Sequence, residues 1–444
     1  MKPHQLIAPY KGDKRFTAIA KRAAELKKSG SDAAQIVAAI ADEFGAPATL
    51  ARLRDAPAPF TVFGEVGSDI EPGALDQLRL ALRTPVAIAG ALMPDAHPGY
   101  ALPIGGVFAA HNAVAPAMVG VDIGCRMHLT VLDLPPDALL ARRAALLADL
   151  RAETVFGTGQ SRQRRADHDV LEDGRWGLTS QLRGLRQKAA AQLGTSGAGN
   201  HFAELMVGEW LGAPETAGGV PQRFSALLTH SGSRGVGFAI ANAYMRLAAQ
   251  ETARHSDVPK YYEWLTLDSE AGQEYWQAME LAGDFARANH EVIHAAFLKR
   301  SKLGALRVIQ NHHNFAWRDG ETIIHRKGAT PAGRGEVGVI PGSMGTSSYI
   351  VAGLGNAAAL DSSSHGAGRR SSRTQAKATI SPKDVQRLLS ERDVLVEGVS
   401  VDESPLAYKD IERVMSIQLS AGLIERLARL RPVAVIMAGA PGED

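Results

Sequence analysis

Apolar side chains recur at helical spacing near the start of the chain. They are Phe16, Ile19, Ala20, Ala23 and Leu26. The series stops near Gly30, and a second helix is predicted from an N-cap at Ser31 to Gly45, because a serine hydroxyl can accept a hydrogen bond from a free backbone N–H and glycine often ends a helix. Prolines then mark a loop. We therefore predict an N-terminal helical extension over residues 1–58 and a larger domain over residues 59–444.

After residue 58, short β-branched runs alternate with glycine-rich turns, a pattern typical of a sheet. Longer stretches with helical spacing follow. The predicted strands are 119–121, 129–132, 306–310, 321–325, 337–340 and 433–437, and the predicted helices are 236–256, 268–300, 382–391 and 405–430. The pattern predicts an α+β fold in which helices flank a sheet-rich core.

A net charge of +2 on 444 residues excludes strong electrostatic attraction over the whole surface. No apolar run reaches the roughly 20 residues that a membrane helix needs, and the N-terminus lacks the apolar stretch of a signal peptide. We therefore expect a cytoplasmic protein without membrane contact. A nucleic acid would need a local basic surface, although short basic runs are more often solvated faces. The runs contain Arg162, Arg164, Arg165, Arg369, Arg370 and Arg373.

Five segments place potential metal ligands beside glycines or asparagines, where an apolar run ends. They are residues 93–99, 121–126, 199–202, 229–235 and 311–314. The candidate ligands are Asp122, Cys125, His201, His230 and one of His312 and His313. Sulfur, nitrogen and oxygen donors together fit soft to borderline divalent ions, and the carboxylate extends the choice to manganese. Each histidine alone would be interpreted as a structural residue, but the set favours a metal site.

A sixth segment, residues 362–370, surrounds His365 with serines and glycines. Small neighbours leave the imidazole accessible, and adjacent backbone N–H groups could hold phosphate oxygens. A neutral imidazole is a competent nucleophile toward phosphorus, and Arg369 could neutralise charge on a transferring phosphoryl group. Upstream, residues 341–349 form another small-residue loop suited to a nucleotide. Both loops gain weight because they follow the series of metal ligands.

Taken in order, these segments resemble the signature motifs of RtcB RNA-splicing ligases over about residues 85–375. The matching segments are residues 94–97, 121–125, 199–202, 230–235, 312–314, 342–346 and 364–369. Six or seven motifs in the same order make the resemblance specific. It implies an RtcB-type fold over residues 59–444, with a large mixed or antiparallel sheet flanked by helices.

The resemblance implies a site for two manganese ions bridged by Cys125. The other implied ligands are Asp122, His201, His230 and His313, the last because it directly precedes Asn314. It also implies that His365 takes GMP from GTP and passes it to an RNA 3′-phosphate, which can first be formed from a 2′,3′-cyclic phosphate. A 5′-hydroxyl end then attacks the RNA 3′-pp-5′-G intermediate and expels GMP. GTP and such RNA ends are the expected partners of a monomeric enzyme.

By the same resemblance, Asp95 activates or orients the 5′-hydroxyl, and several polar residues bind phosphates. The phosphate-binding residues are Asn200, Arg234, Lys327 and Arg369. The implied catalytic residues are His365, Asp95, Arg234, Arg369 and Lys327. The implied nucleotide-binding residues are Asn200, His313, Asn314, Pro341, Gly342, Ser343, Met344, Ser348, His365, Gly366, Ala367 and Gly368.

The chain departs from the family pattern at three places. Arg126 stands where the family usually has glycine after the metal-binding cysteine, so a bulky cation is expected beside the metals. Met437 stands where the family usually has a lysine near the guanine, which bears on guanine recognition. Residues 1–60 do not resemble the usual start of the family. These departures indicate a divergent branch.

Two other functions fit parts of the sequence. His290, Glu291 and His294 match the HExxH motif of zinc peptidases on a predicted helix, but that function leaves the other histidine clusters unexplained. A packed or solvated helical face is the simpler interpretation of this motif. A metal-dependent phosphoesterase, or a guanylylated homologue that no longer ligates, would use the same residues as the ligase. Only His365 separates these functions, because a hydrolase would not need that nucleophile.

Overall fold

The computed structural model describes residues 3–10, 13, 15–46, 50–212 and 219–438. The α-helices are α1 (Pro3–Leu6), α2 (Phe16–Lys28), α3 (Ala33–Phe44), α4 (Pro72–Ala81), α5 (Pro116–Val119), α6 (Pro136–Glu153), α7 (Ser180–Gln192), α8 (Arg234–Thr252), α9 (Glu270–Ser301), α10 (Arg373–Thr379), α11 (Pro382–Glu391) and α12 (Ile411–Ser420). Among these residues no helix is both long enough and apolar enough to cross a bilayer.

The strands fall into two large sheets and several short pairs. They are β1 (Ala51–Arg52), β2 (Phe60–Val62), β3 (Ala87–Tyr100), β4 (Leu102–His111), β5 (Ala113–Val114), β6 (Arg126–Leu132), β7 (Phe202–Trp210), β8 (Arg223–Ser231), β9 (Ser256–Asp257), β10 (Leu265–Thr266), β11 (Ala305–His312), β12 (Phe315–Asp319), β13 (Thr322–Lys327), β14 (Ala329–Pro331), β15 (Val337–Ile340), β16 (Ser348–Gly353), β17 (Ser362–Ser364), β18 (Leu395–Glu397) and β19 (Ile424–Met437).

The first three helices pack around a small apolar cluster of their own. Its buried members are Ile7, Tyr10, Ile19, Ala23, Ile36 and Ile40. The helix α3 is capped by Asp32, not by Ser31 as predicted. The Asp32 side chain accepts from the backbone N–H of Gln35, and the Gln35 side chain accepts from the backbone N–H of Asp32. This reciprocal pair satisfies two free donors, whereas a serine one position earlier would satisfy one at most.

The larger sheet has the strand order β11-β6-β8-β7-β19-β16-β15, antiparallel throughout this path, with β18 added in parallel to β19. Its two end strands approach each other. The side-chain amide of Asn311 on β11 donates to the Val339 carbonyl on β15 at 3.1 Å and accepts from the Val339 N–H at 2.9 Å. The predicted mixed or antiparallel sheet flanked by helices is thus present, and it is nearly closed.

The second sheet has the order β12-β13-β4-β3-β2, and the long helix α9 packs beside α8 in a separate apolar cluster. Helices 236–256, 268–300 and 382–391 and strands 129–132, 306–310, 321–325 and 337–340 are confirmed within a few residues.

Two predicted elements are wrong. Residues 119–121 are the end of the short helix α5 and the irregular segment after it, in which Gly120 has a φ of +103°, outside the range of a regular β-strand. The helix predicted over 405–430 ends at Ser420, and β19 begins at Ile424 after a turn at Gly422. Residues 424–431 are rich in helix-forming leucine and arginine, but pairing with both β16 and β7 outweighs that preference.

The antiparallel register gathers the predicted ligands at one edge of the larger sheet. Cys125 directly precedes β6, whereas His230 lies near the end of β8, opposite Met127. His201 directly precedes β7, whose first residue pairs with His230. His313 directly follows β11, whose last residue pairs with the first residue of β6. Strand starts and strand ends alternate along the sheet, so all four residues meet at the same edge.

Candidate metal centre and the adjoining cavity

Cys125, His201 and His230 form a buried cluster whose donor atoms lie within 4.8 Å of one another. The Cys125 Sγ is 3.1 Å from His230 Nε2 and 3.5 Å from His201 Nε2. Burial raises the pKa of the Cys125 thiol well above its ordinary value and lowers that of His230 to about 3. A cation at this point would reverse the preference of the thiol, since a bound metal ion stabilises the thiolate.

Hydrogen bonds to backbone carbonyls fix the tautomers of both imidazoles. His201 Nδ1 donates to the Ser196 carbonyl at 2.9 Å, and His230 Nδ1 donates to the Asn200 carbonyl at 3.1 Å. A carbonyl oxygen only accepts, so each neutral ring carries its proton on Nδ1 and its lone pair on Nε2. Both lone pairs therefore point toward the Cys125 sulfur, which is the arrangement that metal-binding histidines adopt.

Asp122 completes this group of acceptors. Its Oδ2 is 3.0 Å from His201 Nε2, the nitrogen that the Ser196 contact leaves unprotonated. Burial raises the pKa of Asp122, but when His201 Nε2 carries a proton, the hydrogen bond and charge of that ring outweigh burial and hold the pKa of Asp122 at about 2. Two facing acceptors at this distance need a proton or a metal cation between them. The donor set therefore fits a divalent cation.

His313 lies beside the cluster, and its neighbour His312 does not. The His313 ring centroid is 5.4 Å from that of His230 and 4.8 Å from that of His365. Its Nδ1 is buried and has no hydrogen-bond partner among the described residues, and burial holds its pKa well below the ordinary value. His312 instead packs on Phe315 and Trp317. An unpartnered buried nitrogen beside three donors is a further fit for a metal ligand.

A cavity of about 300 Å³ adjoins the cluster and contains most of the predicted site residues. Those that line it are Asp122, Cys125, Asn200, His230, His313, Asn314, Pro341, Gly342, Ser343, Met344, His365, Gly366, Ala367, Gly368 and Arg369. Segments far apart in sequence thus form one site. The lining combines hydrogen-bond donors that could bind a phosphate, several histidines and an apolar wall of Val435 and Met437. Such a mixed lining is typical of a nucleotide pocket.

The remaining predicted residues support the cavity from outside its lining. His201 and Arg234 face a second cavity on the far side of Asp122. The Ser348 hydroxyl accepts from the Gly342 N–H at 3.2 Å. Lys327 is buried, donates to the Tyr100 carbonyl at 2.5 Å and lies over the Tyr100 ring, and burial lowers its pKa to about 7.

Asp95 lies directly behind His365. The fully buried carboxylate accepts from His365 Nδ1 at 2.7 Å and from the His365 backbone N–H at 3.2 Å. This contact puts the proton of the neutral ring on Nδ1 and leaves the lone pair on Nε2. The backbone of Asp95 packs directly against Gly368, which has a φ of +73°. A side chain at this position would not fit, because an added Cβ would lie 2.0 Å from the Asp95 carbonyl oxygen.

Two buried carboxylates that support the cavity were not predicted from the sequence. Buried Glu403 receives an ion pair from Arg369 at 3.3 Å and one from Arg373 at 2.5 Å, and Tyr408 donates to its other oxygen. Asp402 pairs with Arg373 at 2.8 Å. These carboxylates hold the two guanidinium groups at the cavity. No glycine-rich motif or histidine marks residues 402–403, so local sequence carried no signal for them.

The two departures inside the family motifs have different surroundings. Arg126 points away from the cluster, because its guanidinium donates to the Gly283 carbonyl at 3.3 Å and to Gln310 at 3.1 Å. Its guanidinium therefore does not line the cavity. Met437 does line the cavity, and it pairs across strands with Phe202. The apolar replacement thus lies in the site itself.

The HExxH motif is a packed part of α9. His290 Nε2 donates to the Ser231 carbonyl at 3.1 Å, and its Nδ1 is bonded to the Thr229 hydroxyl at 2.5 Å. His294 contacts the hydroxyls of Thr229 and Thr130 through its two nitrogens. Both rings are buried with their nitrogens in use, as the interpretation of a packed helical face predicts.

This geometry defines a class of protein. It is an α+β protein with a histidine-bearing cavity beside a cysteine–histidine cluster that could hold a metal. The sequence profile of the family described as tRNA-splicing ligase RtcB matches residues 77–184 and 178–438. The chain therefore belongs to the RtcB family.

Similar proteins come from bacteria and archaea. The chain is 33% identical over 410 residues to the RNA-splicing ligase RtcB of Escherichia coli K12, covering 83% of this chain and 95% of that one. It is 33% identical over 418 residues to the tRNA-splicing ligase RtcB of Nanoarchaeum equitans, covering 78% and 87%. For the RNA-splicing ligase RtcB of Mycobacterium tuberculosis, identity is 30% over 412 residues, covering 78% and 95%.

A buried carboxyl near Met437 makes the stability of the fold pH-dependent. Glu204 on β7 is 3% exposed, and burial raises its pKa from 4.5 to about 8. Because the folded-state pKa is raised, the favourable contribution of the neutral acid is complete below about pH 4.5 and is lost as pH rises through 8.

We expect Glu204→Gln to remove this dependence, since glutamine stays neutral. The difference in unfolding free energy between wild type and variant should shift by several kcal/mol, on the order of 4, in favour of the variant between pH 4 and pH 9. Thermal unfolding midpoints of both proteins across this range measure it. Parallel curves for the two proteins would contradict the expectation.

Proposed function

We propose that this protein is an RNA ligase that uses GTP and manganese to join RNA 3′-phosphate or 2′,3′-cyclic phosphate ends to 5′-hydroxyl ends. The observation that carries the proposal is the Asp95–His365 pair, whose free Nε2 belongs to a ring that lines the same cavity as the Cys125 cluster. Membership of the RtcB family and the names of the relatives support it.

His365 is the proposed nucleophile. Its Nε2 attacks the α-phosphorus of GTP, so an N–P bond forms, the bond to the β-phosphate oxygen breaks, and pyrophosphate leaves. Asp95 keeps the ring proton on Nδ1 and stabilises the positive charge that develops on the imidazole. This contact supports a role for Asp95 in orienting His365, in place of the action on the 5′-hydroxyl that the resemblance implies.

Two further exchanges complete the reaction. An oxygen of the RNA 3′-phosphate attacks the phosphorus of guanylyl-His365, the N–P bond breaks, and RNA 3′-pp-5′-G forms. The 5′-hydroxyl oxygen of the second RNA then attacks the RNA-side phosphorus, loses its proton and expels GMP. A 2′,3′-cyclic phosphate first takes up water to give the 3′-phosphate. Asn200, Arg234, Lys327 and Arg369 are the proposed phosphate-binding residues.

Asp122, Cys125, His201, His230 and His313 are the residues that would hold two manganese ions. The ions would supply positive charge to phosphate oxygens, which is the main need of phosphoryl transfer. We further propose that the protein acts as a monomer in the cytoplasm. Residues 1–58 would form an extension of a catalytic domain over residues 59–444.

Incubation with manganese and α-³²P-labelled GTP tests the central step. Label that survives denaturing electrophoresis, resists alkali and is lost in acid identifies a phosphoramidate. Ligation is then measured with an RNA bearing a 3′-phosphate, a 2′,3′-cyclic phosphate or a 3′-hydroxyl, each mixed with a 5′-hydroxyl RNA. Absence of label at saturating GTP with every divalent metal tried would reject the ligase, and release of phosphate alone would favour a phosphoesterase.

We expect Cys125→Ala to weaken manganese binding by at least about tenfold, because loss even of a group that only orients a ligand costs about 10–100-fold. Equilibrium dialysis of the purified variant with manganese measures the affinity directly. His312→Ala is the matched control, since His312 neighbours the cluster in sequence but packs on Phe315 and Trp317. Equal affinities for wild type and Cys125→Ala would remove Cys125 from the metal site.

A further inference from the structure

A second cavity, of about 730 Å³, adjoins the first. Asp122 and Asn200 line both cavities, so this pair forms part of the wall between them. The helices α7 and α8 contribute Lys188 and Arg234, and the loop through Ser161 contributes the opposite side. Anything bound here would have one end at the proposed metal centre and the other in solvent.

Two cations are held in this cavity by close contact with glycines. An added Cβ on Gly197 would lie 1.8 Å from Arg234 Nη1, so the guanidinium packs directly on that backbone. Arg234 also has a φ of +56°, a left-handed conformation that costs free energy in a residue with a side chain. An added Cβ on Gly235 would lie 2.6 Å from Lys188 Cε. The described residues offer Lys188 no ion pair, so its charge is available to a ligand.

Phe238 adds an aromatic surface to the same cavity. It lies four residues after Arg234, one turn along α8 on the same face. It is 56% exposed, more than any other large apolar side chain among the described residues. An exposed aromatic ring beside cations is the combination that binds single-stranded nucleic acid, because bases stack on the ring while cations neutralise the backbone.

We propose that this cavity holds the 3′-terminal nucleotide of the RNA substrate, with its base stacked on Phe238 and a backbone phosphate at Lys188. The inference rests on the proposed ligase function. A 3′-phosphate carries up to two negative charges and must reach guanylyl-His365, and the second cavity lies next to the first because Asp122 and Asn200 line both. A 5′-hydroxyl end has no terminal phosphate to attract the two cations.

Anisotropy of a fluorescent oligoribonucleotide with a 3′-phosphate tests the base contact. We expect Phe238→Ala to weaken binding roughly tenfold, the middle of the range for loss of one stacked base. The same RNA with an abasic 3′-terminal nucleotide should bind wild type and Phe238→Ala equally. Phe238→Trp should restore the affinity for the intact RNA, which a merely structural role of Phe238 would not predict.

Lys188→Gln and Leu178→Ala complete the design. Lys188→Gln should weaken intact and abasic RNA by the same factor, because a phosphate contact does not depend on the base. Leu178 is 51% exposed but does not line either cavity, so Leu178→Ala should leave binding unchanged. Equal binding of intact RNA by wild type and Phe238→Ala overturns the inference, as does an equal loss on intact and abasic RNA.

Labelling with GTP in the absence of RNA separates this inference from the ligase itself. If wild type is guanylylated but Phe238→Ala binds intact RNA normally, the base contact fails and the ligase stands. If wild type binds the RNA through its terminal base but takes no label, the RNA site stands and the ligase fails. Base-dependent binding of the 5′-hydroxyl end, with none of the 3′-phosphate end, would overturn the assignment of the cavity.

Discussion

His365→Ala is expected to abolish covalent labelling by GTP, to below one thousandth of the wild-type rate. The ring lines the cavity, its Nδ1 is bonded to Asp95, and the cavity lining contains no second histidine with a buried carboxylate on its ring. Water or a neighbouring hydroxyl cannot replace the N–P bond. Denaturing electrophoresis after incubation with labelled GTP and manganese measures the adduct over time.

Two controls make the His365 result specific. His111→Ala removes a 63% exposed imidazole that does not line the cavity and should label at the wild-type rate. The metal content and unfolding midpoint of His365→Ala should equal those of wild type, since His365 is outside the Cys125 cluster and only partly buried. A variant that keeps its label while folded would move the nucleophile to another residue.

Asp95→Asn is expected to slow labelling by roughly 10³–10⁴-fold, as removal of the carboxylate that orients a catalytic histidine does elsewhere. The asparagine amide could donate to Nδ1, and the ring would then carry its proton on Nε2, where the attack on phosphorus must begin. Even with the correct tautomer, the charge that stabilises the developing imidazolium would be absent. Single-turnover labelling over a range of pH measures both effects.

The binding of GTP and manganese should change little in Asp95→Asn, because the carboxylate is fully buried behind the ring and away from the cavity surface. Asp76→Asn, at a carboxylate that is 75% exposed, is the matched control for the substitution. A labelling rate within threefold of wild type, with unchanged pH dependence, would show that the Asp95–His365 contact is only structural.

The convergence of the predicted metal ligands was predictable in part, because each belongs to a segment at one end of an apolar run. In an antiparallel sheet, neighbouring strands start and stop at the same edge, so Cys125, His201 and His230 had to meet once β6, β7 and β8 were adjacent. The order of those strands was not visible in the sequence, since no local pattern encodes which strand pairs with which.

The pairing of Asp95 with His365 was not predictable either. The two residues are 270 positions apart, and an aspartate next to a proline fits many roles. The same is true of Glu403, whose role depends on its ion pairs with Arg369 and Arg373 in the folded chain. The first part of β19 was missed for a different reason, although its last part was predicted as the strand 433–437. The leucine and arginine residues of 424–431 favour a helix, and pairing with two neighbouring strands outweighs that preference.

The Asn311 link between β11 and β15 also has a consequence for the behaviour of the chain among other chains. Strands at the ends of an open sheet present unpaired N–H and C=O groups that can template aggregation. Leu306 and Val308 on β11 are 49% and 48% exposed, so this edge would otherwise be apolar and prone to aggregation. By bringing the two end strands together, a single amide side chain restricts access to both edges and protects the protein against intermolecular strand addition.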